Sequence, residues 1–355
     1  AAVRGARPQV VIYARILDTD GACGHPRLNR LLELQVQDMK FGLLSVSYSG
    51  LWYDGEPLSL ERQIRKAREL GFDGLAIETK RPVASPIDLS ASDRDNIRAA
   101  ADGEGIELCA IESMSNFAGR TMEDRENNLA MMGEVLDLAH DLDVDLVKIF
   151  AAWPGIVNDE EDTSFYAPYE RGDYYKQQYG PDLRRSHRAI EGIREVSEWA
   201  EDLGITLALQ NHAPVLRPGY EDALAMMNEI DRDNVRLCID APLFDGRQSN
   251  DYMREAVEAC GDDILLTHFG SWNFSADEDG EPVQDVAPNI AVRVNYEAFI
   301  EALWEFGYDG YLVAEYCLPC LRSHQLAGMD GIEEATRLSL AYIKETVQRT
   351  ADVHA

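Results

Sequence analysis

From residue 39 onward, apolar positions fall into two alternating patterns. Stretches with apolar residues at helical spacing are followed, after a short break, by brief continuous apolar runs of strand length. The pairs read Gln63–Leu70 then Gly74–Glu78, Asn96–Asp102 then Glu107–Glu112, and Met131–Leu142 then Leu146–Phe150. A helix from about Ser186 to Leu203, closed by Gly204, precedes Leu207-Ala208-Leu209-Gln210-Asn211-His212. Three more pairs follow: Tyr220–Ile230 with Val235–Asp240, Asp251–Cys260 with Ile264–His268, and Tyr296–Phe306 with Tyr311–Glu315. With a first strand at Phe41–Ser47 and a closing helix over Gly331–Gln348, the pattern predicts eight βα units. Parallel strands joined by helices and buried on both faces read as short apolar runs. Eight of them predict an α/β fold of the closed (β/α)8 TIM barrel type, in one domain over residues 39–355. An open doubly wound sheet is the alternative, but no GxGxxG follows the first strand, so a dinucleotide site has no support.

Two strand-to-helix connections are long. The one after strand four runs from Trp153 to about Arg185 and carries six aromatic residues between Phe165 and Tyr179. The one after strand seven runs from Gly270 to Asn295. Both leave the carboxyl edge of the barrel, where long loops serve as lids or substrate walls. A homo-oligomer contact is the competing use of the tyrosines.

Composition narrows the class. Residues 1–38 hold five Arg, no Lys and four acids, and are read as a disordered or non-native leader rather than a signal peptide. The whole chain carries 33 basic and 64 acidic residues, a net charge of −31. Nucleic acid and anionic membranes are poor partners for such a surface. Only six of the basic residues are Lys. That bias suits a salt-loaded cytoplasm, whose ions screen the self-repulsion. On that reading the melting temperature rises from low to molar KCl; a flat or falling curve contradicts it. The six cysteines are scattered, as in a reducing cytoplasm, and the lone Cys317-Leu318-Pro319-Cys320 motif has no second pair with which to build a zinc site.

The chemistry gathers at the strand ends. Gln210, Asp240, His268 and Glu315 are each the first strongly polar residue after an apolar run, on four successive strands. An amide oxygen, two carboxylates and an imidazole make a mixed oxygen and nitrogen shell, suited to one divalent ion: Mn²⁺ first, Mg²⁺ or Co²⁺ as alternatives. A hydrogen-bonded rim without metal is the plainer reading. Glu78 and Glu112 end strands two and three, and Arg217 and Trp272 follow strands five and seven; all four are candidates to bind substrate. Lys148, near the end of strand four, is a candidate to bind a substrate oxygen or steer an acid. By strand alternation, His212 shares the face of Gln210.

Leu-Ala-Leu-Gln210-Asn-His, Leu-Cys-Ile-Asp240, Leu-Leu-Thr-His268 and Leu-Val-Ala-Glu315-Tyr carry a family resemblance. From Met39 to about Thr350 the chain resembles the xylose isomerase-like TIM barrel superfamily. That group holds sugar isomerases and epimerases, hydroxypyruvate isomerase, inosose dehydratase and endonuclease IV. The epimerases place Glu, Asp, His and Glu at the ends of strands five to eight. The resemblance implies a metal-dependent isomerase or epimerase of a sugar, sugar phosphate or keto-sugar. A metal-chelated carbonyl would activate the adjacent C–H, and Glu315 would take the proton. Two departures stand out. Gln210 replaces a ligand Glu that serves as one of two bases, so His212 is the candidate stand-in. The Asp-x-x-His pattern after strand six is here Asp240-Ala-Pro-Leu243. The alternatives are a lyase or dehydratase on an oxidised sugar, as in the C-glycoside deglycosidases that resemble the same barrel, and a non-catalytic sugar-binding or partner subunit.

Overall fold

The computed structural model describes residues 39–119, 121–153, 155–157, 165–166, 183–270, 274–285, 292–322 and 325–354. Residues 1–38 and Trp272 lie outside the described residues. Eight parallel strands close into a barrel: β1 Lys40–Leu44, β2 Gly74–Glu78, β3 Glu107–Glu112, β4 Leu146–Ile149, β5 Thr206–Gln210, β6 Val235–Cys238, β7 Ile264–Gly270 and β8 Tyr311–Glu315. β8 pairs with β1 through Lys40 opposite Tyr311 and Leu43 opposite Ala314, which seals the ring. Around it run α1 Leu60–Leu70, α2 Ala91–Glu104, α3 Met122–Asp141, α4 Leu183–Asp202, α5 Glu221–Ile230, α6 Asn250–Cys260, α7 Tyr296–Phe306 and α8 Met329–His354. The fold is the TIM barrel that the alternating pattern predicts.

Local sequence explains the punctuation. Ser90 and Thr121 each cap a helix reciprocally with an Asp three residues on, Asp93 and Asp124, satisfying two orphan N–H groups per start. Gly307 ends α7 at φ +93°, a backbone state that a Cβ would disfavour. At the amino end of the barrel, Tyr311 lies across β1 and β2 and donates its hydroxyl to Glu107 at 2.8 Å. The ring needs small neighbours: a Cβ at Gly74 would sit 2.7 Å from it. The first strand is shorter than the apolar run predicts. It stops at Leu44, and Ser45–Tyr48 turn into a 3-10 helix. There Ser45 Oγ accepts from the Glu78 amide and Ser47 Oγ from the Tyr316 amide, so this turn ties the rims of β2 and β8 together.

The described parts of the long loops include two short hairpins, Ile156–Val157 with Phe165–Tyr166 after β4 and Phe274–Ala276 with Pro282–Gln284 after β7. Among the described residues no helix is long and apolar enough to cross a membrane. A cleft of about 820 Å³ opens at the amino end of the barrel, lined by Asp95, Asp102, His140 and Asp145. It faces away from the carboxyl edge, where barrels carry their chemistry.

Candidate metal centre

Inward-facing positions of β5, β6 and β7 converge at the carboxyl edge. Gln210 is the last residue of β5, Asp240 lies two past the end of β6, and His268 sits inside β7. All three are buried. Gln210 Nε2 donates to Asp240 Oδ2 at 2.5 Å and lies 3.5 Å from His268 Nδ1. His268 Nδ1 is 3.0 and 3.2 Å from the two Asp240 oxygens. Asp240 is held from behind: its Oδ1 accepts from the His268 amide at 2.7 Å, and its own amide donates to Asn211 Oδ1 at 2.9 Å. Asn211 in turn donates to the carbonyls of Gly219 and Asp240. A carboxylate with its backbone pinned on both sides is pre-organised, and its lone pairs face inward.

The network extends across the barrel. His268 Nε2 meets Glu112 Oε1 at 2.8 Å, and Glu112 Oε2 meets Lys148 Nζ at 3.1 Å. Lys148 Nζ also lies 3.7 Å from the centre of the Phe150 ring. Burial disfavours the imidazolium, but the Asp240 and Glu112 carboxylates outweigh it and hold His268 well above its ordinary pKa. Burial likewise opposes ionisation of Glu112, Asp240 and Lys148. For Glu112 and Asp240 the charge of His268 wins, and their pKa values fall. For Lys148 the carboxylate of Glu112 wins, and its pKa rises. Glu315, half-buried at the end of β8, goes the other way: burial raises its pKa, and the nearby His268 and Lys148 charges only partly offset this.

Does this donor set fit a divalent ion? Among the described residues, Gln210 Oε1 is buried and has no hydrogen-bond partner. Leaving a buried acceptor unpaired costs about 1–3 kcal/mol, so such an atom calls for an explanation. A cation would supply the partner. The same amide group lies against the Asp240 carboxylate and His268 Nδ1 through its Nε2, so side chains carrying oxygen and nitrogen donors suited to a divalent ion converge. A cation there would replace the Nδ1 proton, so its binding would release a proton and weaken at low pH.

Cys238, at the end of β6, belongs to the same cluster: one ligand atom each from Cys238, Asp240 and His268 lies within 4.8 Å of the others. Burial pushes its thiol up to about 12, so it stands as a neutral thiol. Sequence reading passed over it, although its alternation with Asp240 already placed both on the inward face.

The remaining candidates fall in different places. β5 stops at Gln210, so alternation does not carry on to His212. The half-buried His212 ring packs at 5.1 Å against Phe150 and 5.6 Å against Trp153, with Nδ1 against the Ala213 carbonyl. Burial pushes its pKa down to about 4, so the ring is neutral at physiological pH. Arg217 forms a two-pronged pair with Asp222, at 2.8 and 2.6 Å, on the side of α5. Glu112 has its two oxygens on His268 and Lys148. Glu78 ends β2 in register with Glu112.

Burial raises the Glu78 carboxyl to about 7. In the unfolded chain this group titrates near 4.5. Between those values the native protein therefore holds a proton that the unfolded chain has released, and stability falls as pH rises through the window. Glu78→Gln cannot titrate. Its stability relative to wild type should improve from pH 5 to pH 8, by up to about 3 kcal/mol. Chemical denaturation of both proteins at the two pH values reads this; an unchanged difference contradicts it.

The comparisons agree with this architecture. Residues 64–352 match the xylose isomerase-like TIM barrel family, and the chain belongs to it. Among curated proteins it is 24% identical over 286 residues to D-psicose 3-epimerase of Ruminiclostridium cellulolyticum, covering 78% of this chain and 83% of that one. Among solved structures, a D-psicose 3-epimerase determined in the presence of D-fructose superposes with a TM-score of 0.63 at 18% identity, covering 87% of this chain and 99% of that one. The 3-keto-D-glucoside 4-epimerase of E. coli gives 0.59 at 18% identity, with 87% and 100% covered. At these identities the solved structures speak for the shared fold.

Proposed function

We propose that this chain is a metal-dependent enzyme that moves a proton next to the carbonyl of a keto-sugar, as an isomerase or epimerase. The observation that carries the reading is the convergence of Gln210, Asp240 and His268 at the carboxyl edge of the barrel, with the Gln210 oxygen unpartnered and Glu315 on the neighbouring strand. Family relatives named as sugar epimerases support the substrate class. Gln210, Asp240, His268 and Glu315 would hold one divalent ion, Mn²⁺ before Mg²⁺ or Co²⁺. When bound, the ion supplies charge that polarises a chelated carbonyl and acidifies the adjacent C–H.

The protein's own groups do the rest. Glu315 accepts the proton, and burial makes its carboxylate a stronger base than an exposed one. Lys148 places a fixed positive charge in the buried interior, where it stabilises an oxygen that gains negative charge. Glu78, with its carboxyl near neutrality, and Glu112 lie in register along the same edge. The amide of Gln210 can offer an oxygen lone pair but cannot take a proton. Of the Gln210 and Glu315 pair, only Glu315 can act as a base, where a two-glutamate epimerase has two. A single base favours proton removal and return on one face, which is isomerisation, or removal followed by loss of a leaving group, which is the lyase reading. For two-face epimerisation His212 is the candidate second base, neutral but weakened by the burial that holds its pKa at about 4.

Incubating the Mn²⁺-loaded protein with a panel of keto-sugars and reading products by NMR tests this. A product of unchanged composition supports isomerase or epimerase action. A dehydrated or cleaved product moves the assignment to lyase. No turnover and no bound metal would leave only a sugar-binding or partner subunit.

A further inference from the structure

We propose that Glu112 is a positioning residue: it fixes which nitrogen of His268 faces the cation and ties that ring to Lys148. The inference rests on reading the strand 5–8 rim as a metal site. β3 and β7 are not neighbours in the barrel, yet Glu112 reaches His268 through the interior. Its two oxygens go to two different strands, Oε1 to His268 Nε2 at 2.8 Å and Oε2 to Lys148 Nζ at 3.1 Å. The side chains are nearly inaccessible, at 1% for Glu112 and 3% for each partner. Asp240 and Gln210 approach His268 at the opposite ring nitrogen, Nδ1.

That division sets the tautomer. With Nε2–H donated to Glu112, Nδ1 is the nitrogen that can turn a lone pair toward a cation beside Asp240 and Gln210. Because Glu112 stands at the far edge of the ring, it orients the imidazole rather than sharing the ion. Lys148 holds the second oxygen and so keeps the first one aimed at His268. Phe150 under the ammonium fixes Lys148 in turn. The plain competitor is a structural role, in which this is only a buried charge network whose members satisfy one another. The two readings part on metal affinity and on tautomer.

Glu112→Gln is the discriminating substitution. An amide has one acceptor, so it cannot serve His268 and Lys148 at once. If its oxygen faces His268, its NH₂ opposes the Lys148 ammonium. If it flips, it donates to Nε2 and drives the proton to Nδ1, the wrong tautomer for the cation. Titration calorimetry of Mn²⁺ into the metal-free full-length protein should show binding weakened about 10–100-fold. Adding Lys148→Met removes the opposing ammonium and frees the amide oxygen for His268, so the double variant should recover at least about tenfold of that loss. A structural network predicts no recovery, since a second buried partner has gone. Long-range ¹H–¹⁵N NMR on the wild-type protein loaded with Zn²⁺ reads the tautomer without any substitution, and Nε2–H is expected. Wild-type Mn²⁺ affinity in Glu112→Gln, no recovery in the double variant, or Nδ1–H in the wild type overturns the inference. Wild-type protein that binds no Mn²⁺ overturns the metal reading beneath it.

Discussion

Asp240→Asn and His268→Ala should each strip the divalent ion and the turnover together, while Glu315→Gln should lose turnover far more than metal. The difference follows from what each change removes. Asp240 is the carboxylate at the centre of the cluster, bonded to Gln210 and to both the ring and the amide of His268. Asn keeps its shape but removes the charge that offsets a cation, and it opposes the Gln210 amide with another NH₂. His268→Ala removes the only nitrogen donor of the proposed set. It also leaves Glu112 without one of its two partners, a loss of a buried charge pair worth roughly 3–5 kcal/mol of stability. Glu315→Gln would keep an oxygen to offer the ion but remove the proposed proton acceptor. The loss expected of a positioned general base is about 10²–10⁴-fold in turnover. Metal analysis beside keto-sugar turnover separates these outcomes. Full metal content in Asp240→Asn, or full turnover in Glu315→Gln, contradicts the assignment.

The second large effect is expected from Gln210→Glu. The Gln210 amide now donates to Asp240 at 2.5 Å. A glutamate in its place sets carboxylate against carboxylate, which two buried like charges resist. Metal-free Gln210→Glu should therefore melt below wild type. With Mn²⁺ the sign reverses, because the added charge faces a cation. Two unit charges about 4 Å apart at an effective dielectric near 20 interact by about 4 kcal/mol, before desolvation is subtracted. Affinity should rise at least about tenfold, and the Mn²⁺-induced increase in melting temperature should exceed that of wild type. Equal or smaller Mn²⁺ stabilisation of the variant would contradict this.

Strand positions were legible because parallel barrel strands are buried on both faces and so read as apolar runs closed by one polar residue. The reading matches β2, β3 and β8 to the residue, and it places the first polar residue of β5 to β8 at the edge where the cluster forms. What it could not supply was non-local. Glu112 and His268 lie 156 residues apart on strands that do not touch, and no periodicity connects them. The register that sets Glu112 opposite Lys148 depends on how the whole sheet closes. β5 ends at Gln210 and Asn211 turns to Asp240 and Gly219, so strand alternation alone does not fix the placement of His212. Arg217, after β5, pairs with an aspartate five residues on, a local contact that the sequence spacing allows but does not specify.

Proton exchange in D₂O tests the central claim most directly, because it needs no commitment to the product. Mn²⁺-loaded wild-type protein incubated with the keto-sugar panel should replace the hydrogen next to the carbonyl with deuterium, read as loss of its ¹H NMR signal. Glu315→Gln with its Mn²⁺ still bound should leave that signal intact, and metal-free wild type should do the same. Exchange that persists at the wild-type rate in Glu315→Gln, or that proceeds equally well without metal, would contradict the account.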